Sequence, residues 1–306
     1  MRNKIAVGID LGGTKTSGAL VDGAGNTYNF IIESSKFNKG INTVYKTLSS
    51  TIKKLILGSS QEIIGIGIAA SGRIDPHTGT IVGGVPLCEG YIGFPIREKL
   101  FNEFHIPVVV ENDANAAAYA EYRLGAGQNS NCLLCITIGT GIGGGIIING
   151  KILRGKGNGG EIGHIVIEKN GRLCNCGRKG CLETYVSRKC LEDEIFFAIE
   201  RGTLKTKLNP QKITTKDIIK LIKDGNPIVM KIFNRQLEYL AVGIENLINT
   251  IDPDLILISG QLSKLGNILI NLLKSKIRFP VELKVASLGS ESGVVGAGLI
   301  VIQRID

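Results

Sequence analysis

CLLCITIGTGIGGGIIING, residues 132–150, reads as a buried strand, a glycine-rich turn and a second buried strand. The chain has used that pattern once before. IAVGIDLGGTKTSGALVDG, residues 5–23, is also strand, polar glycine turn and strand, with the turn at the same place. Short continuous apolar runs suit strands covered on both faces, and glycine lets the chain reverse tightly between them.

The two copies organise the rest of the chain. After the first come a third strand (26–33), a helix (41–57), an apolar strand (63–70), a helix near 95–104, a strand (107–110) and a helix (114–124). After the second come a long helix (228–250), a strand (255–258), a helix (264–275), a strand (282–286) and a last helix from 292. Residues 202–215 are polar and read as a surface connection. A repeated strand–turn–strand unit, each copy followed by helices and further strands, predicts a duplicated α/β architecture of two lobes with a cleft between them. We expect residues 1–112 to form a small lobe, with the last helix (291–306) packing back on it, and residues 113–290 a larger one.

Composition agrees with two lobes. The chain has 306 residues, long for one core. Its 43% hydrophobic and 21% charged residues are ordinary for a folded protein. The net charge of +9 comes from lysines scattered at 53–54, 205–212 and 216–223, with no interleaved aromatics. That is a solvated surface, so no nucleic-acid partner is expected. No stretch approaches the ~20 apolar residues of a membrane span, so no membrane partner is expected either. The apolar run before Asp10 is too short for a secretion signal. Seven cysteines without an export signal imply reduced thiols in the cytoplasm, where clustered cysteines bind metal rather than pair.

Four stretches carry candidate chemistry. DLGGTK, residues 10–15, is either a plain hairpin turn or a phosphate cradle of backbone N–H groups, with Asp10 at the strand end where it would hold Mg²⁺ directly or through water. GTGIGGG, residues 139–145, offers the same choice; it lacks the Walker lysine and opens no helix. Paired turns of this kind would grip one triphosphate from two sides. ENDANAAAYAEY, residues 111–122, places Asn112 and Asp113 between a strand and a helix, as cap or as ligand-facing residues. The roles are compatible: Asn112 would cap while Asp113 takes a proton from an attacking hydroxyl.

The fourth stretch is EIGHIVIEKNGRLCNCGRKGCLE, residues 161–183. Cys174, Cys176 and Cys181 with His164 match a closed tetrahedral Zn²⁺ site, and Gly177 and Gly180 let the chain wrap the ion. If one His164 nitrogen binds metal, the other is oriented for a further hydrogen bond. The zinc loop would then present Glu161, His164 and Glu183 together, a set suited to sugar hydroxyls.

Taken together, DLGGTK, ENDANAAA, TIGTGIGGG, GGEIGH and CNCGRKGCLE resemble the ROK family of repressors, open reading frames and kinases, over essentially the whole chain. The resemblance implies an actin-like ATPase (ribonuclease H-like) fold. It implies transfer of phosphate from Mg²⁺-ATP to the 6-hydroxyl of a hexose, glucose foremost. It implies Asp113 as the base. Asp10, Gly12, Gly13, Thr14 and Lys15 match the first phosphate motif, and Thr140 and Gly141 the second. Asn112, Glu161, His164 and Glu183 match sugar-contacting positions, and His164, Cys174, Cys176 and Cys181 the structural zinc ligands. ISGQLSK (258–264), with Gly260, resembles the adenosine-side segment, although Ser259 and Gln261 replace usual glycines. Ser71-Gly72-Arg73 stands where many glucokinases carry Pro-Gly-Pro, and EGYIGFPI (89–96) replaces a Trp-containing segment. Gly72 and Arg73 resemble the N-acetylmannosamine kinases, in which that pair lies by the sugar. A homodimer or dimer of dimers is also implied. The family's repressors carry an N-terminal helix-turn-helix; here the first strand starts within five residues of Met1, so kinase is the expectation, with a non-catalytic sugar sensor the remote alternative.

Overall fold

The computed structural model describes residues 4–84 and 87–305. Three antiparallel strands open the chain: β1 (Ile5–Leu11), β2 (Lys15–Asp22) and β3 (Thr27–Ser34). Helix α1 (Ile41–Leu57), strand β4 (Ile63–Ala70) and a short ribbon of β5 (Arg73–Ile74) and β6 (Ile81–Gly83) follow. Then come α2 (Ile96–Phe104), β7 (Val108–Asn112) and α3 (Asp113–Leu124). The pattern restarts with β8 (Cys132–Ile138), β9 (Ile142–Ile148) and β10 (Lys151–Ile152). Helices α4 (Glu183–Val186), α5 (Arg188–Glu200), α6 (Thr215–Lys223) and α7 (Pro227–Ile251) precede β11 (Leu255–Gly260). Helix α8 (Asn267–Lys274), strand β12 (Glu282–Val285) and helix α9 (Ser292–Ile305) complete the described chain.

The two five-stranded sheets have the same plan. Their orders are β3-β2-β1-β4-β7 and β10-β9-β8-β11-β12. In the first, β1 pairs antiparallel with β2 and parallel with β4, and β4 pairs parallel with β7. In the second, β8 pairs parallel with β11, and β11 parallel with β12. This is the duplicated α/β architecture that the two sequence copies predict, and it is the actin-like fold that the family resemblance implies.

Contacts divide the chain into two compact units. One holds Met1–Asn129, Gly145–Gly160 and Ser287–Asp306; the other holds Ser130–Gly144 and Glu161–Ala286. The expected division after Asn112 differs from this, because α3 packs on α9. A methyl group at Gly296 would lie 1.9 Å from the Ala116 carbonyl oxygen, so only bare backbone fits there.

Strand alternation explains the first unit's core. Val7, Ile9, Leu11, Ile66 and Ile68 point to one side of the sheet and join Leu48, Ile52 and Leu55 of α1. Each such side chain contributes roughly 1.5–3 kcal/mol on full burial. The intervening Gly8 and Gly67 point to the other side and admit α9. A Cβ on Gly67 would lie 1.9 Å from the Ala297 carbonyl, and one on Gly8 2.2 Å from that of Val294. The expected strands and helices lie within a few residues of their places. Helices α4, α5 and α6, strand β10 and the β5–β6 ribbon had no counterpart in the sequence reading. Residues 264–275, expected as one helix, form a 3-10 turn (Gln261–Leu265) broken at Gly266 before α8. Among the described residues no helix is long and apolar enough to cross a membrane.

Candidate active site

In the first unit, Asp10 is the penultimate residue of β1, which runs into the glycine turn. The turn is closed by the Gly12 N–H donating to the Lys15 carbonyl at 3.0 Å. Ser35 buttresses it from β3's end: its hydroxyl donates to the Gly12 carbonyl at 2.6 Å, and its N–H to the Thr14 carbonyl at 3.1 Å. Gly13, Thr14 and Lys15 face solvent. A firm turn with an exposed tip fits a phosphate group.

Asp113 is the first residue of α3, and Asn112 is its N-cap, accepting the Asn115 N–H at 3.1 Å. The cap and the candidate base are therefore neighbours with separate tasks. Ser71, directly after β4, donates its hydroxyl to Asp113 Oδ2 at 2.7 Å. The Asn112 side-chain amide donates to the Gly72 carbonyl at 3.0 Å. Burial pushes the Asp113 carboxyl above its ordinary pKa, opposed by the hydrogen bonds from Ser71 and Ala114. Burial, and then the nearby Asp113, push Asp10 up to about 7. Two carboxyls held above their ordinary range suit a divalent cation, whose charge would reverse both effects.

Other partners support this corner. Glu111 is buried; it accepts the Asn112 N–H and the Asn115 side-chain amide, each at 3.0 Å, and Arg154 at 2.5 Å. Arg73 Nη1 donates to Asn158 Oδ1 at 2.6 Å.

In the second unit, the turn after β8 is closed by the Gly139 N–H donating to the Gly141 carbonyl at 2.9 Å. Thr140 faces solvent and accepts from Arg188 Nη2 at 3.1 Å. Glu183 Oε2 accepts the Ile142 N–H at 3.0 Å. Glu183, which matched a sugar-contacting position, thus lies against the second glycine turn. Gly260 ends β11 with φ 97, and its carbonyl accepts the Ser263 hydroxyl at 2.7 Å.

His164, Cys174, Cys176 and Cys181 converge, with their ligand atoms all within 4.8 Å of one another. Cys176 and Cys181 have sulfurs 3.6 Å apart, and Cys174 Sγ is 3.7 Å from His164 Nδ1. Disulfide sulfurs sit at about 2.05 Å. Tetrahedral zinc with bonds of ~2.3 Å would set its ligands about 3.8 Å apart, so the spacing fits a metal. Burial raises the Cys181 thiol to about 12, and the neighbouring thiols add to this; a cation would relieve it. The loop is tied by the Cys174 N–H to the Arg178 carbonyl at 2.8 Å and turns at Gly180, where a Cβ would lie 1.8 Å from the Glu168 carbonyl. With Nδ1 facing the cysteines, His164 Nε2 points to Glu161 Oε2, 3.9 Å away.

The structure thus brings Asp10, Asn112, Asp113, Ser71 and Gly72 into one corner of the first unit. It brings Glu161, His164 and the cysteines into one loop of the second. Sequence reasoning missed Ser35, Arg154, Asn158 and Arg188. Each reaches its partner across 21 or more positions, so no local pattern reveals it.

The ROK family model matches residues 6–304. The chain is 35% identical to a glucokinase of Halalkalibacterium halodurans, over 99% of this chain and 97% of that one. It is similar to the structure of a ROK family glucokinase from Streptomyces griseus in complex with glucose and AMPPNP. There the TM-score is 0.82 and the identity 29%, over 98% of this chain and 99% of that one. It is also 31% identical to a xylose repressor of Bacillus spizizenii, over 98% of this chain and 77% of that protein.

Proposed function

The chain belongs to the ROK family, and from that premise we propose that it is a sugar kinase, transferring the γ-phosphate of ATP to the 6-hydroxyl of a hexose. Glucose is the first candidate, in line with the glucokinase relatives. The observation that carries the reading is Asp113: a carboxylate at a helix start, held above its ordinary pKa by burial and fixed by a serine hydroxyl. A buried carboxylate costs stability, which a sensor without catalysis has no reason to bear.

Asp113 would accept the proton of the 6-hydroxyl as that oxygen attacks phosphorus. Asp10 would hold magnesium, directly or through water, which when bound with the nucleotide supplies positive charge to the phosphate oxygens. The turns at Gly12, Gly13, Thr14 and Lys15 and at Thr140 and Gly141 would cradle phosphates with backbone N–H groups, and Gly260 would border the adenosine. His164, Cys174, Cys176 and Cys181 would hold zinc, which when bound supplies a rigid anchor for the loop. Glu161 and His164, with Asn112 and Glu183, would hydrogen-bond the sugar hydroxyls.

A second reading, phosphorylation of an acetamido-hexose such as N-acetylmannosamine, is favoured by Gly72 and Arg73. The Arg73 guanidinium is directed by Asn158 and lies where a Cβ on Gly83 would stand. Asp113→Asn tests the shared mechanism. Turnover should fall about 10²–10⁴-fold, while calorimetry shows sugar binding retained. Near-normal turnover would remove Asp113 as the base.

A further inference from the structure

Ser71 belongs to none of the motifs that match the family, yet it touches the candidate base. The turn that carries it is fixed from two sides. The Tyr91 hydroxyl donates to the Ser71 carbonyl at 2.6 Å, and the Asn112 amide donates to the Gly72 carbonyl at 3.0 Å. Tyr91 is itself buried and packs edge-on against Phe37, with ring centroids 5.3 Å apart. Gly72 has φ 99, a conformation that suits glycine and lets the chain turn immediately after the serine. The hydroxyl is therefore presented from a clamped turn rather than a mobile loop.

At Asp113 the geometry is specific. Oδ2 accepts the Ser71 hydroxyl at 2.7 Å, and Oδ1 accepts the Ala114 N–H at 2.8 Å. The Asp113 N–H and the Asn112 side chain add to these two bonds, so the carboxylate is held at both of its oxygens. We propose that Ser71 is a positioning residue for the base: its hydroxyl, presented from the clamped turn, holds the Asp113 carboxylate in one orientation. The proposal rests on the kinase reading of Asp113. The ionisable groups that face Asp113 are Asp10, from β1, and Tyr91, from the segment before α2. Burial, and then the Asp113 charge, push both of them up; burial is what disfavours the charge on Asp113 itself, and the Ser71 hydrogen bond opposes it.

The test uses the full chain, metal-loaded, with Ser71→Ala and Ser71→Thr. Ser71→Ala should lower kcat about tenfold, the scale of one lost hydrogen bond to a charged group. The KM for sugar should stay within about twofold, because the hydroxyl acts on the base rather than on sugar binding. The acid limb of the kcat profile should move to higher pH. Ser71→Thr, which keeps a hydroxyl, should restore both. In parallel, the Asp113 carboxyl carbon is followed by carbon-13 NMR through a pH titration without ligands, assigned with Asp113→Asn. Its midpoint should rise in Ser71→Ala and return in Ser71→Thr. An unchanged kcat and midpoint in Ser71→Ala, or no rescue by threonine, would overturn the proposal. If the natural protein phosphorylates no sugar, the kinase reading falls, and the NMR midpoint still decides whether Ser71 governs Asp113.

Discussion

Asp10 shows what a buried carboxyl costs. Burial and the nearby Asp113 raise its folded pKa to about 7 from an ordinary 3.8. The protonated form is thus favoured in the folded state. The stability this brings is complete below pH 3.8 and is lost as pH rises through about 7. Asp10→Asn removes the charge, so its melting temperature should exceed the natural protein's at pH 8, with the gap closing toward pH 4. An equal gap at both ends would mean that the site does not penalise the charge. The same variant should lose magnesium-dependent nucleotide use. At this scale the sequence was informative where chemistry is local. DLGGTK and ENDANAAA identify both carboxylates and the Asn112 cap. The contact between Ser71 and Asp113 spans 42 positions and depends on register: Ala70 pairs with Asn112 across β4 and β7, which sets the two following residues side by side. No local pattern encodes that pairing.

Elements bring two further expectations. The cysteine loop is held by its own short bridges, Val166 with Cys181 and Leu173 with Lys179, and leaves the Val166 and Leu173 side chains exposed. Its order should therefore depend on metal. Cys176→Ser should lose bound zinc, measured by elemental analysis, and weaken sugar binding about tenfold or more, the scale of a displaced ligand shell. Unchanged sugar affinity after metal loss would separate the loop from the sugar. The seat of α9 on the first sheet depends on glycine. Gly67→Ala should cost about 1–3 kcal/mol or more in denaturant unfolding, since the Ala297 backbone cannot swing aside as a side chain would; a neutral result would mean that α9 shifts freely. The missed helix α6 did carry a signal. Ile218, Ile219 and Ile222 lie on one buried face, and Thr214 and Asp217 form a capping box. Its interleaved lysines draw attention to charge and away from the period. Helix α5 buries Cys190, Leu191 and Ile195 among charged neighbours and is masked in the same way.

At the scale of the molecule, the internal repeat was the legible feature. One strand–turn–strand pattern seen twice became two sheets of the same order. The allocation of elements to units was less legible. Helix α3 joins the first unit through α9, which lies at the far end of the chain, and sequence order carries no sign of such a partnership. The duplicated fold is predicted to phosphorylate a hexose at the expense of ATP. The direct measurement is ADP release from Mg²⁺-ATP by the zinc-loaded protein, against glucose, N-acetylmannosamine, N-acetylglucosamine, mannose, fructose and cellobiose. Sugar-dependent ADP release is predicted, with the highest kcat/KM on glucose; a lead for N-acetylmannosamine would transfer the assignment to the Gly72-Arg73 reading. No ADP above the sugar-free rate with any of the six, metal bound and fold intact, would contradict the kinase account.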